Sequence, residues 1–242
     1  AIAVDAAGCA YVTGSTFPDG GGLFPTVNQR QSFSGGFWYW GFFSKLSADG
    51  ASLLYSTYIG GTNSHTYPQG IALDAAGMAY VAGSTAATQI NQFPLVGGSY
   101  DTTHNGGYDV FVCKFDATLA GAASLLYSTY IGNTGSDQAM DVAVDAAGCA
   151  HVTGWTNSGG GAPYPTTGGS YDTGANGNYD VFVTKLNAGG TALDFSTFLG
   201  GASTEMAYAI AVDAVEGVVV GGYTESAAFP TTGGAYDTAL NI

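Results

Sequence analysis

The chain of 242 residues carries 39 glycines and 13% aromatic residues, with four lysines and arginines against 18 acids, a formal net charge of -14. So few long polar side chains exclude a largely helical protein, and the acidity turns away nucleic-acid phosphates and anionic membrane surfaces. No run approaches the roughly 20 apolar residues of a membrane-crossing helix, so no membrane insertion is expected.

In chain order, period-two alternation and turn punctuation predict four strands in the first unit. IAVD (2–5) is followed by the turn DAAG, in which Asp5 accepts backbone N–H groups and Gly8 supplies a positive φ, and then by AYVTGST (10–16). A long Gly/Pro/Asn-rich loop leads to the strand ending at Lys45, and LLYSTYIG (53–60) completes the set. The series then returns as IALDAAGMAYVAGST from 71, VAVDAAGCAHVTGWT from 142 and, degraded, IAVDAVEGVVVGGYT from 210, with Asp5, Asp74, Asp145 and Asp213 spaced by 69, 71 and 68 residues. Lys45, Lys114 and Lys185 keep the same phase, as do LLYSTYIGN from 125 and LDFSTFLGG from 193. A four-stranded antiparallel sheet recurring every 70 residues or so predicts an all-β, propeller-like array of about 3.5 blades. The whole chain, 1–242, is expected to form one repeat domain with units 1–70, 71–141, 142–209 and a partial 210–242.

The combined pattern GIALDAAGMAYVAGST, FPLVGGSYDTTHNGGYDVFVCKF and LLYSTYIG resembles the bacterial β-propeller repeat called SBBP, found in tandem in large, mostly exported proteins. The resemblance implies a bladed β architecture and brings no catalytic residues or cofactor with it. Cys9, Met78 and Cys149 stand where that turn usually has Asn, repeat one loses the YD segments, and repeat four stops early.

Three and a half blades leave strand edges or a blade face to be covered. The chain is then a piece of a longer propeller, a thin closed toroid, or a protomer that joins its copies head to tail. Aromatic residues crowd one segment, GGFWYWGFFSKL (35–46). Aligned on the lysines, Phe37, Trp38 and Trp40 replace Gly106, Gly107 and Asp109, while Tyr39 and Phe42 match Tyr108 and Phe111. Phe37, Trp38, Tyr39, Trp40 and Phe42 either cover a satellite core or form an interface, and ring faces that stack on sugars are a further reading.

No nucleophile elbow, HExxH helix, phosphate-binding loop or Cys/His metal spacing is present in the sequence, and no enzyme is expected. The turn aspartates read as backbone acceptors, and each recurrent lysine as the partner of a carboxylate, such as the turn Asp. Asp101 with Asp109, and Asp172 with Asp180, bracket Asn/Gly loops and read either as loop braces or as calcium ligands. His104 reads as solvated, and His151 as a strand residue in a tyrosine's place. Cys9, Cys113 and Cys149 are expected to be free thiols. The expected function is that of an extracellular or cell-surface structural repeat protein assembling end to end into a filament or ring. The alternative is a carbohydrate- or protein-binding propeller module of a larger exported protein.

Overall fold

The computed structural model describes residues 1–18, 22–88, 90–157, 163–215 and 217–239. Blade one is β1 (Ile2–Val4), β2 (Ala10–Thr16), β3 (Trp40–Leu46) and β4 (Leu53–Ile59). Blade two is β5 (Thr66–Leu73), β6 (Ala79–Thr85), β7 (Asp109–Phe115) and β8 (Leu125–Ile131); blade three is β9 (Asp137–Val144), β10 (Ala150–Thr156), β11 (Asp180–Leu186) and β12 (Leu193–Leu199). A two-stranded half blade follows, β13 (Glu205–Val212) and β14 (Val218–Thr224). Each sheet is an antiparallel meander in chain order, and among the described residues the helical element is one 3₁₀ turn, Gly121–Ser124.

The first strand of blades two, three and four is longer than IALD and its counterparts suggest. β5 starts at Thr66, five residues before Ile71, in a stretch whose Pro68 and Gly70 read as a turn. A bulge resolves the conflict: the register skips Gln69 in β5, Met140 in β9 and Tyr208 in β13. The extra residue bends the strand and tolerates Pro68. Opposite each bulge stands a glycine whose added Cβ would strike backbone: Gly83 against Tyr67 O, Gly154 against Gln138 O and Gly222 against Met206 O. The recurring glycine of GST, GWT and GYT is therefore a requirement of close backbone approach.

The blades stack face to face, so their strands bury both faces and read as unbroken apolar runs, as in DVFVCKF. Phe111, Cys113 and Phe115 point toward blade one, where they meet Phe43, Tyr55 and Ile59. The alternate residues Val110 and Val112 point toward blade three and pack with Val152, Phe182 and Phe198. Val181 and Val183 then meet Ala207 and Ile210 of the half blade. Neighbouring innermost strands touch, β5 with β9 and β9 with β13. Hydrogen bonds cross the seams: Ala139 N donates to Ser84 Oγ at 3.1 Å, and Ile210 N to Asp141 Oδ2 at 3.0 Å. Tyr80 Oη donates to Gly148 O in the next blade at 2.9 Å.

Candidate functional site

The turn aspartates sit as the sequence requires. Oδ1 of Asp5, Asp74, Asp145 and Asp213 accepts two backbone N–H groups from the residues two and four positions on, at 2.7 to 3.0 Å. In the three full blades Oδ2 meets a lysine of the third strand: Lys45 at 3.4 Å from Asp5, Lys114 at 3.7 Å from Asp74, and Lys185 at 2.8 Å from Asp145. A strand-two residue shares that oxygen, Tyr11 and Tyr80 through their hydroxyls and His151 through Nε2 at 3.0 Å. The Lys45 and Lys114 ammonium groups also lie over the Tyr11 and Tyr80 rings, 4.6 and 4.7 Å from their centres. Burial opposes the charge of Asp145, but bonds from Lys185, His151 and Cys149 N hold its carboxyl well below the usual carboxylate range. These clusters brace hairpins, and in the three full blades both oxygens of the turn aspartate are occupied.

The calcium candidates are divided by burial. Asp101 Oδ1 accepts from Thr103 N and its Oδ2 from the Asn105 side chain, while Asp109 Oδ2 accepts from Asn105 N. Asp172 and Asp180 repeat this through Asn176, with Gly174 N and Gly177 N as further donors. An asparagine thus links each pair, which is the brace reading. Asp109 and Asp180 are buried, and the Oδ1 of each has no hydrogen-bond partner among the described residues. His104, expected in solvent, is half-buried, its edge against Tyr130 and its Nε2 3.1 Å from Thr85 O. Burial lowers the pKa of its imidazole. All three cysteines are free thiols, with Cys113 packed in the core beside Ser128.

The aromatic segment does not present one surface. Trp40 is fully buried against Phe33 and Tyr58, with ring centres 5.3 and 5.8 Å away, and so leaves the set of contact residues. Its ring fills the space that an aspartate borders in the other blades. Phe42 stacks on Phe24 at 4.3 Å. Trp38 is half-buried against His65 at 4.8 Å, and His65 stacks on Tyr67 of β5. Phe37 and Tyr39 remain exposed, and Phe37 lines an open cleft of about 330 Å³ with Phe33, Leu23 and Pro18.

The two ends of the stack were less visible in the sequence. Ile2 in β1 is 66% exposed, whereas its equivalents Ile71, Val142 and Ile210 are 8%, 4% and 7% exposed, each covered by the preceding blade. On the opposite face, Val219 of β14 is 64% exposed where Tyr80 and His151 are buried. The Tyr208 and Tyr223 rings, tilted to one another with centres 5.9 Å apart, are exposed as well.

The family model described as the SBBP beta-propeller repeat matches residues 54–91 and 126–161. Two stretches of the chain are thus similar to the SBBP repeat. Each matched stretch starts in the outermost strand of one blade and runs through the first two strands of the next, β4 to β6 and β8 to β10. The SBBP unit, as matched, therefore contains a blade junction. No curated protein matches the chain.

Proposed function

We propose that this SBBP-repeat chain is a non-enzymatic structural module of the cell exterior, whose two end faces join copies head to tail into a ring or filament. The reading is supported by the faces of β1 and β14, where Ile2 and Val219 hold positions that internal junctions bury, so each face is built to receive a further blade, which this reading assigns to a second copy. An internal junction seats Ile71 or Val142 on the preceding blade, so the matching occupant for the β1 face is the half blade of a second copy. Such a contact is heterologous and propagates. The bracing of the recurrent carboxylates by backbone donors favours a structural role, and the acidic, lysine-poor composition favours export.

Two blocked variants test it. Ile2→Asp disables one face and Val219→Asp the other, and sedimentation velocity reads the particle size. Wild type should form large species, each variant alone should stay monomeric, and an equimolar mixture should stop at heterodimers. A wild-type chain that is monomeric at high concentration, with its fold intact by circular dichroism, refutes the reading. The cleft beside Phe33 and Phe37 favours a second reading, carbohydrate binding, which predicts a polysaccharide-dependent change in tryptophan fluorescence from Trp38.

A further inference from the structure

Two blade junctions bury a pair of carboxyl groups, and the third has exchanged both members for uncharged residues. At the seam between blades two and three, Asp109 at the start of β7 faces Asp137 at the start of β9. A Cβ built on Gly132 would lie 2.7 Å from Asp109 Oδ1 and 2.8 Å from Asp137 Oδ2, so these two oxygens border the same small space. At the next seam the same construction on Gly200 places Asp180 Oδ1 at 2.6 Å and Glu205 Oε2 at 2.8 Å. All four residues are at most 2% exposed. At the seam between blades one and two, Trp40 and Thr66 occupy these positions beside Gly60, and Thr66 bonds Thr85 at 2.7 Å. In these three seams neither acid is present without the other.

The hydrogen bonds show what each pair lacks. Asp137 accepts from Thr156 Oγ1 and from Asn133 N, and Glu205 from Thr224 Oγ1 and Gly201 N, so both oxygens of each have donors. Asp109 and Asp180 have donors on Oδ2, while Oδ1 is buried with no donor among the described residues and borders the same space as an oxygen of the opposing acid. A buried carboxylate oxygen left bare beside a second carboxylate is costly; a proton on it supplies the missing bond. The groups acting on the first pair are Asp101, the Tyr130 and Tyr164 hydroxyls and Thr156, with the half-buried imidazole of His104 on the neighbouring Thr85 carbonyl. Asp172, Thr224 and Ser226 act on the second. No lysine or arginine is among them.

We propose that one proton, shared between Asp109 and Asp137 and between Asp180 and Glu205, closes each of these seams and makes blade stacking tighten as pH falls. Burial pushes Asp109 and Asp137 each up to about 6. Burial raises Asp180 too; for Glu205, burial is outweighed by bonds from Gly201 N, Ser226 and Thr224, which lower it and leave the proton on Asp180. For the raised groups the folded pKa exceeds the unfolded one. Their stabilisation is complete below about pH 4 and is lost as pH rises through the folded values, near 6 for the first pair.

The test compares wild type with Asp109→Asn and Asp180→Asn, whose side-chain N–H groups mimic the protonated acid. Between about pH 5.5 and 8 the wild-type Tm should fall by roughly 5 °C relative to the double variant, which should be the more stable protein at pH 8. Equal destabilisation of the variants at both pH values overturns the proposal. So does calcium chloride that raises the wild-type Tm at pH 8 but not that of the double variant, since a cation would then take the proton's place. If the variants do not fold, infrared spectroscopy of wild type decides. The carbonyl stretch of a protonated carboxyl should be present at pH 5.5 and gone at pH 8; its absence at pH 5.5 overturns the proposal.

Discussion

Replacing Asp145 with asparagine tests how the hairpin braces hold the blades. Of the three full clusters this one is the most enclosed, with the Asp145 side chain 1% exposed and Lys185 2.8 Å away, against 14% and 3.7 Å for Asp74 and Lys114. Asparagine keeps an oxygen for Ala147 N and Cys149 N but leaves the Lys185 ammonium and His151 Nε2 without their anion. Breaking a buried pair from one side costs about 3 kcal/mol, whereas Asp74→Asn, at the looser and wetter pair, should cost about 1 kcal/mol. For a domain of this size 3 kcal/mol lowers Tm by roughly 6 to 12 °C. Because the folded Asp145 carboxyl is depressed, its contribution is present above the unfolded value near 4 and is lost as pH falls through the folded one. The Tm gap between wild type and Asp145→Asn should therefore narrow on acidification below about pH 4. Thermal melts by circular dichroism across that range measure it, with Asp145→Asn/Lys185→Met separating the pair from its surroundings. A gap at pH 7 no larger than that of Asp74→Asn would refute the reasoning.

Gly154→Ala should destabilise by about 3 kcal/mol in urea titrations, because its Cβ runs into Gln138 O, while Gly221→Ala, with nothing within 4 Å, should stay within about 0.5 kcal/mol of wild type. Trp40→Ala should cost about 4 kcal/mol by emptying the space between Phe33 and Tyr58. Phe37→Ser, at a 77% exposed position, should leave the melt unchanged. Since Asn105 and Asn176 hold the loop carboxylates, a chelator should leave Tm unaltered; a fall would restore Asp101, Asp109, Asp172 and Asp180 as calcium ligands.

Strands two, three and four of each full blade were legible in the sequence because their apolar runs are bounded by the Asp-Gly turn and the recurrent lysine. The start of strand one was not, since Pro68 and Gly70 punctuate a stretch that a bulge keeps in the sheet. The lysine–aspartate pairing could be foreseen because an acidic chain with so few cations leaves each one a carboxylate to find. The aromatic segment, six rings interrupted by Gly41, read equally as a cover for a satellite core or as an interface, and only the fold divides it: alternation sends Trp40 inward, adjacent loops cover Trp38 and Phe42, and Phe37 and Tyr39 stay exposed. The Asp109–Asp137 and Asp180–Glu205 pairs escaped notice because their members lie 28 and 25 residues apart and meet only when blades stack. The signal was there: Trp40 stands in place of Asp109, and Thr66 in place of Asp137.

The span of the matched repeat, from the last strand of one blade into the opening hairpin of the next, bears on how such arrays grow. Copying a whole period of roughly 70 residues around that interval adds a four-stranded blade whose two faces, bulge glycine included, already match those of its neighbours. Lengthening by duplication then need not invent a complementary surface, and a deletion of the same period heals onto the neighbour that remains.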